Sequence, residues 1–454
     1  MNIIIAGYGK IGDVLIKNLT DEGHNVVVID KDPFVLKQAT NLYDIMCVCG
    51  NGADYDTLIE AGIRNTDVYI AVTGSDELNM LSCFIARKLG AAHTIARIRT
   101  PEYNDNNEGF NFLKQQLDLS LAINPEQLAA KELFNILKFP SAVNIEHFAR
   151  RKFEMVEIIL KKDSVLDGMN LIELRKKFSE NFLVCVVRRG DKVYIPDGNF
   201  VLKSGDKIGL TASPIEIQKL LKKLAILRKK ARNIMILGGS RTAYYLSRLL
   251  LSSGNNVKII EKDKGRCEQL SNLLPEATII FGDGASGEVL FEEGLMSMDA
   301  FVSLTDMDEE NILLSSFASS QNVPTVISKV NRTELANMAE KFGLDCIVSP
   351  KMMIADVIMR YARALQNTAG SKMETLYKIM DGKAEAVEFI VEDTFEHVGI
   401  PLRDLKTKDN MIIAGIIRGR KAIIPSGNDI IMPNDRVVVI VAGQNLDDLS
   451  DIIK

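Results

Sequence analysis

The chain has 454 residues, 46% of them hydrophobic and 25% charged, with a net charge of −5. That length holds roughly three or four domains of about 150 residues, and the composition is that of a globular chain rather than a disordered, fibrous or low-complexity one. An acidic chain lacks the dense positive surface that neutralises phosphate backbones, so a nucleic acid is excluded as partner.

The first apolar strand begins at residue 2, which leaves no room for a leader, and no apolar run reaches the roughly 18 residues that span a bilayer. We therefore expect a cytoplasmic chain that meets a membrane only through a partner. That strand, Ile3 to Ala6, runs into Gly7-Tyr8-Gly9-Lys10-Ile11-Gly12. Gly7 permits the tight turn, Gly9 lets backbone approach a pyrophosphate, and Gly12 lets the following helix pack closely. Phosphates then sit at a helix N-terminus, on free amides and the positive end of the dipole. The next strand, Val26 to Ile29, ends at Asp30, placed to accept from both ribose hydroxyls of an adenosine. A 2′-phosphate would face that carboxylate, so NAD or an adenine nucleotide is favoured over NADP.

Further strands are expected at Ile45 to Cys49, Val68 to Val72 and Thr94 to Ile98. They are near-continuous apolar runs, as strands buried on both faces require. Their carboxyl ends carry Asn51 and Gly52, then Thr73 and Gly74, then Arg97, and ligands of open α/β sheets bind at such ends. A strand-rich module follows, marked by the turn Ile195-Pro196-Asp197-Gly198-Asn199 and the tail Lys203-Ser204-Gly205-Asp206-Lys207.

The same order then returns. Asn233 to Leu237 leads into Gly238-Gly239-Ser240-Arg241-Thr242-Ala243, and Glu261 stands where Asp30 stood. Asp283, Thr305 with Asp306, and Lys329 repeat the later strand ends, and Ile424-Pro425-Ser426-Gly427-Asn428 with Met432-Pro433-Asn434-Asp435-Arg436 echoes the strand-rich module. Ser240 puts a Cβ where backbone should meet phosphate, although its hydroxyl can donate in compensation. Alanine is permitted at the third glycine position.

The pattern predicts an α/β chain of two doubly wound parallel-sheet, Rossmann-like units, each followed by a small α+β C-terminal lobe. The expected boundaries are 1–140, 141–214, a basic linker helix at 215–231, 232–368 and 369–454. The linker carries Lys219, Lys222, Lys223, Arg228, Lys229, Lys230 and Arg232 against Glu216, which reads as a solvated face or a contact for an acidic surface or anionic headgroups. The interval from Arg97 to Asn124 exceeds that from Lys329 to Ser349, and a surface loop at Asn104 to Glu108 takes up the excess.

Signs of catalysis are scarce. None of His24, His93, His147 and His397 recurs in the other half, and hydride transfer needs a positioned acid or base beside the nicotinamide. His24 is expected at the surface. The six cysteines form no CxxC pair and are expected as reduced, buried core thiols, Cys47 and Cys49 sharing one face of a strand. No metal-ligand spacing is present, so neither a catalytic residue nor a metal is expected.

Taken in this duplicated order, with Gly7, Gly9, Gly12 and Asp30 intact, the chain resembles the TrkA family of the Trk potassium uptake systems and its RCK arrangement, a potassium-conductance regulator with a nucleotide-binding lobe and a C-terminal lobe. The resemblance covers essentially the whole chain. It implies a non-enzymatic cytoplasmic subunit, peripheral to the inner face of the membrane, that binds NAD(H) or ATP/ADP and controls a separate integral membrane potassium-translocating subunit. It also implies a homo-oligomeric ring, a dimer or a tetramer. Pro125 to Phe139 and Pro350 to Leu365, the second with Met352, Met353 and Met359, are apolar stretches that read either as core or as a surface for ring contacts. A regulator of another cation channel or antiporter and an NAD-dependent oxidoreductase are the alternative readings.

Overall fold

The expected strands form to within a residue in a computed structural model that describes residues 1–454 apart from 101–102, 104–107, 139–143, 150–151, 163, 225–230, 345, 367–370, 445 and 447. The first sheet holds, in spatial order, Met46–Cys49, Asn25–Asp30, Asn2–Ala6, Val68–Ala71, His93–Arg97 and Leu121–Ile123, all parallel. The second repeats it with Thr278–Phe281, Asn256–Glu261, Asn233–Leu237, Ala300–Ser303, Thr325–Lys329 and Ile347–Val348. Alternate residues of the first strand feed separate cores, Ile3 and Ile5 on one face and Ile4 and Ala6 on the other. This is why the strands read as unbroken apolar runs. Strand order reverses between Asn2–Ala6 and Val68–Ala71, which opens a crevice at their carboxyl ends.

The two halves exchange helices. Pro350–Gln366 lies on Lys10–Asp21 of the first unit, where Ile354, Ala355, Ile358 and Met359 join Leu15, Ile16 and Leu19 in one core. Reciprocally, Pro125–Lys138 sends Ala129, Ala130, Leu133 and Leu137 against Ala243, Leu246 and Leu250 of Arg241–Ser252. Of the two readings of these stretches, core or ring surface, the structure shows core: their apolar faces are consumed within the chain, and Met359 is 0% exposed. Each buried Ile or Met is worth roughly 1.5–3 kcal/mol, so the exchange is a principal bond between the halves. Arg363 adds an ionic brace: its guanidinium donates to Glu22 of the first unit and, at 2.7 and 3.0 Å, to Glu385 of the second C-terminal lobe. Burial alone would lower its pKa, but the hydrogen bonds to both carboxylates raise it.

Each C-terminal lobe is a five-stranded antiparallel sheet. The turn motifs close equivalent clamps, Asp206 accepting from Nε and Nη2 of Arg189 and Asp435 from the same two nitrogens of Arg418. The lobes share one core, in which Phe148, Phe153 and Val186 meet Met380, Ala414 and Ile440. They also trade hydrogen bonds: Glu157 accepts from the Met380 amide and Glu388 from the Ala149 amide.

The basic stretch departs from expectation. Its helix is Pro214–Lys223, and Ile217, Leu220 and Leu221 are buried in the first lobe's core. It therefore belongs to that lobe, and its apolar side is the reason. Lys223 pairs with Glu180 at 2.6 Å and Lys219 with Glu216 at 2.9 Å. Arg228, Lys229 and Lys230 lie outside the described residues, as does most of the 104–108 loop. Among the described residues no helix is long and apolar enough to cross a membrane.

Candidate functional site

A cavity of about 890 Å³ opens at the carboxyl edge of the first sheet. Gly7, Tyr8, Gly9, Lys10, Ile11, Asp30, Asn51, Gly52, Thr73, Gly74 and Arg97 all line it. Gly12 sits behind them, where a Cβ would strike the Gly7 carbonyl oxygen. Gly7 has φ +106°, a region that side chains strongly disfavour. At Gly9, by contrast, an added Cβ would meet nothing within 4 Å. No atom of the described residues demands a glycine there, so the space in front of it is what the residue keeps clear.

Asp30 is held rigidly, accepting from the Tyr8 amide at 2.7 Å and the Asp32 amide at 3.0 Å. A carboxylate has about four acceptor positions, so capacity for a ribose remains. The helix behind Gly9, Lys10–Asp21, has no side-chain cap, which leaves its first amides facing the cavity as an anion site. Arg97 donates to the Thr73 carbonyl, and among the described residues its Nε has no hydrogen-bond partner. Burial and the nearby Arg99 and Arg241 lower its pKa. A bound anion would supply the missing partner and countercharge.

Two residues that sequence reasoning missed hold this edge together. The Asn79 side chain accepts from the Thr73 amide and hydroxyl and donates to the carbonyls of Thr73 and Arg97. Asn311 does the same for Thr305 and Lys329. Asp76 accepts from the amides of Arg99 and Thr100, as Asp308 does from Asn331 and Arg332. Burial pushes the Asp76 carboxyl up, but these bonds, the Thr100 hydroxyl and the Arg99 charge outweigh it and hold it below the usual range. The signal was the repeat itself: Asp76-Glu77-Leu78-Asn79 returns as Asp308-Glu309-Glu310-Asn311.

The second half behaves differently. Ser240, Arg241, Thr242 and Lys329, expected in a second pocket, line the first cavity. Gly238, Gly239, Glu261, Asp283 and Thr305 do not line it. Lys329 pairs with Asp306 at 3.5 Å, and the Asp283 side chain accepts from the Ala285 amide. Glu126, at the start of the exchanged helix, also faces the cavity with one oxygen that has no hydrogen-bond partner among the described residues, and burial raises its pKa.

None of the four histidines lines the cavity. His24, expected at the surface, is 7% exposed, because its turn lies where Arg363 reaches over to bind Glu22. His93 meets the Tyr361 hydroxyl at 3.1 Å. Cys47 is half-buried, which pushes its thiol up, and Cys49 is exposed. Among the described residues no group of His, Cys, Asp and Glu is placed to hold a metal ion.

A family model for the TrkA-N domain matches residues 3–112 and again 234–350, and one for the TrkA-C domain matches 155–225 and 386–454. The Trk system potassium uptake protein TrkA homolog of Archaeoglobus fulgidus is 30% identical over 455 residues, covering 100% of both chains. Homolog 1 of Methanosarcina mazei is 31% identical over 447 residues, 97% of each chain. The GsuK channel bound to NAD shares the fold, with a TM-score of 0.64 at 16% identity over 97% of this chain and 77% of that one. With TrkA-N and TrkA-C domains alternating twice along its length and relatives matched from end to end, the chain belongs to the TrkA family of Trk system potassium uptake proteins.

Proposed function

We propose that this chain is the cytoplasmic regulatory subunit of a Trk-type potassium uptake system, peripheral to the inner face of the membrane. It binds NAD(H) or ATP/ADP without consuming them and gates a separate integral membrane translocating subunit. One observation carries this reading: the first cavity pairs an uncapped glycine loop and a ribose-ready carboxylate with cations from both halves, Arg97 on one side and Arg241 on the other. The transport names of the relatives support the setting, and a channel of the same fold solved with NAD supports the ligand class.

The residues fit such a nucleotide. Asp30 takes the ribose hydroxyls, the amides after Gly9 take phosphate oxygens, and Arg97 supplies charge. Because Arg241 and Lys329 come from the second half, affinity depends on how the halves are set against each other. A ligand shifts a two-state assembly only by its differential affinity, and moving it from 1:99 to 99:1 takes roughly 5.5 kcal/mol. A dimeric or tetrameric ring shares that requirement among its subunits.

The test is potassium flux through the reconstituted system carrying Asp30→Ala together with Glu261→Ala. The nucleotide response should disappear while the protein remains folded. A response that survives both changes defeats the reading.

A further inference from the structure

We propose that the second cleft is filled by the chain's own side chains, Arg266 in the place of an adenosine and Ser240 in the place of a phosphate. The chain then binds one nucleotide, in the first cleft. This rests on the nucleotide reading of the first cleft and goes beyond it by fixing the number of sites.

Arg266 lies in the first turn of Lys264–Leu273 at the position that Val35 holds in Pro33–Leu42. Val35 lines the first cavity beside Asp30 and Tyr8. In the second half the equivalent side chain is a guanidinium, and its Nε–H donates to the carbonyl oxygen of Gly239, the counterpart of Tyr8, at 2.6 Å. Its Nη1 donates to Gln269 at 3.2 Å, which fixes the fork in place. The bond spans the gap between glycine loop and helix that stays open in the first half. Gly239 is also drawn down onto that helix: an added Cβ would come within 2.6 Å of Leu270 Cδ1 and 2.9 Å of Glu261 Oε2. The first loop carries a tyrosine at the same place.

Ser240, which also borders the first cavity, occupies the phosphate end of the second glycine loop. Its hydroxyl oxygen accepts from the Ala243 amide at 3.3 Å, capping Arg241–Ser252. That amide is one of the helix-start donors that the uncapped first helix leaves available. The carboxylates themselves do not distinguish the halves. Glu261 accepts from the amides of Gly239 and Asp263 as Asp30 does from Tyr8 and Asp32. The two added side chains make the difference, and a nucleotide entering the second cleft must break both contacts.

Calorimetric titration of the full-length protein with NADH, NADPH, ATP and ADP reads the stoichiometry. Wild type should bind one nucleotide per chain. Arg266→Val combined with Ser240→Gly should add a second site, and Val35→Arg should weaken the first at least tenfold. Thermal melts of each variant confirm that the chain is folded. Two sites in wild type for any of the four ligands, or a single site in the folded double variant, overturns the proposal and leaves the nucleotide reading standing. A wild-type chain that binds none of them overturns the nucleotide reading, and this proposal with it.

Discussion

The two glycine loops start from nearly the same sequence and end as different objects. Around the first, Gly9 keeps space clear and the helix amides are left uncapped. Around the second, a serine caps the helix and an arginine ties the loop down. What the halves keep in common is the frame, since Asn79 and Asn311 fasten equivalent strand ends with equivalent bonds. Frame and ligand chemistry can therefore separate within one fold, as expected where function resides in a site grafted onto a scaffold.

The exchanged helices differ between the halves as well, and that contrast has the largest expected effect. The second begins at Pro350 as the first begins at Pro125, which places Arg363 where the first has Lys138. Arg363→Ala strands Glu385 as a buried charge and Glu22 as a half-buried one and should cost about 3–5 kcal/mol in denaturant unfolding. Lys138→Ala is a surface change and should stay within about 0.5 kcal/mol. Equal losses would show that the brace is no asymmetry at all.

Next comes Asp356, which stands where the first helix has Lys131. Burial pushes its carboxyl up to about 6 against the opposing charges of Lys378 and Arg360, with Glu385 adding to the rise. A raised folded-state pKa means that its contribution to stability is complete below about pH 4 and is lost as pH climbs through about 6. Asp356→Asn should therefore gain about 3 kcal/mol at neutral pH and flatten that part of the stability profile. An unchanged slope between pH 4 and 6 would assign the titration to another group. The smallest effect should come from Gly9→Ser, which writes the second loop's residue into the first. Binding should weaken about tenfold, or about 1.4 kcal/mol, with an unaltered melting temperature because the new Cβ meets no protein atom. A destabilised variant would mean that the glycine serves packing rather than a ligand.

Much of this was legible in the chain. The strands read well because burial on both faces demands unbroken β-branched runs, and the turn at the first loop was legible because Gly7 and Gly12 each have a steric reason. The recurrence of Asp76 and Asn79 was equally visible, although their roles depend on which carbonyls lie within reach. The exchanged helices were harder: an apolar stripe on Pro350–Gln366 declares that something covers it without saying what, and the cover proved to be the other half of the chain. The same limit hid the shared cavity, since nothing local to Arg241 or Lys329 reveals that they face Asp30. His24 read as surface from its place before the second strand, away from the crevice, and a contact from as far along the chain as the Arg363–Glu22 pair beside it is not visible locally.

The reciprocal exchange of helices has the geometry of two subunits joined into one polypeptide. Two separate copies of a single chain must carry the same residue on both sides of their shared axis. Once they are linked in tandem, that obligation ends: Val35 can face a ligand while Arg266 takes a ligand's place, and Lys131 can sit opposite Asp356. Neither half is dispensable, because each supplies the helix that completes the other. The chain is thus free to specialise its pockets while its architecture stays bound to twofold symmetry.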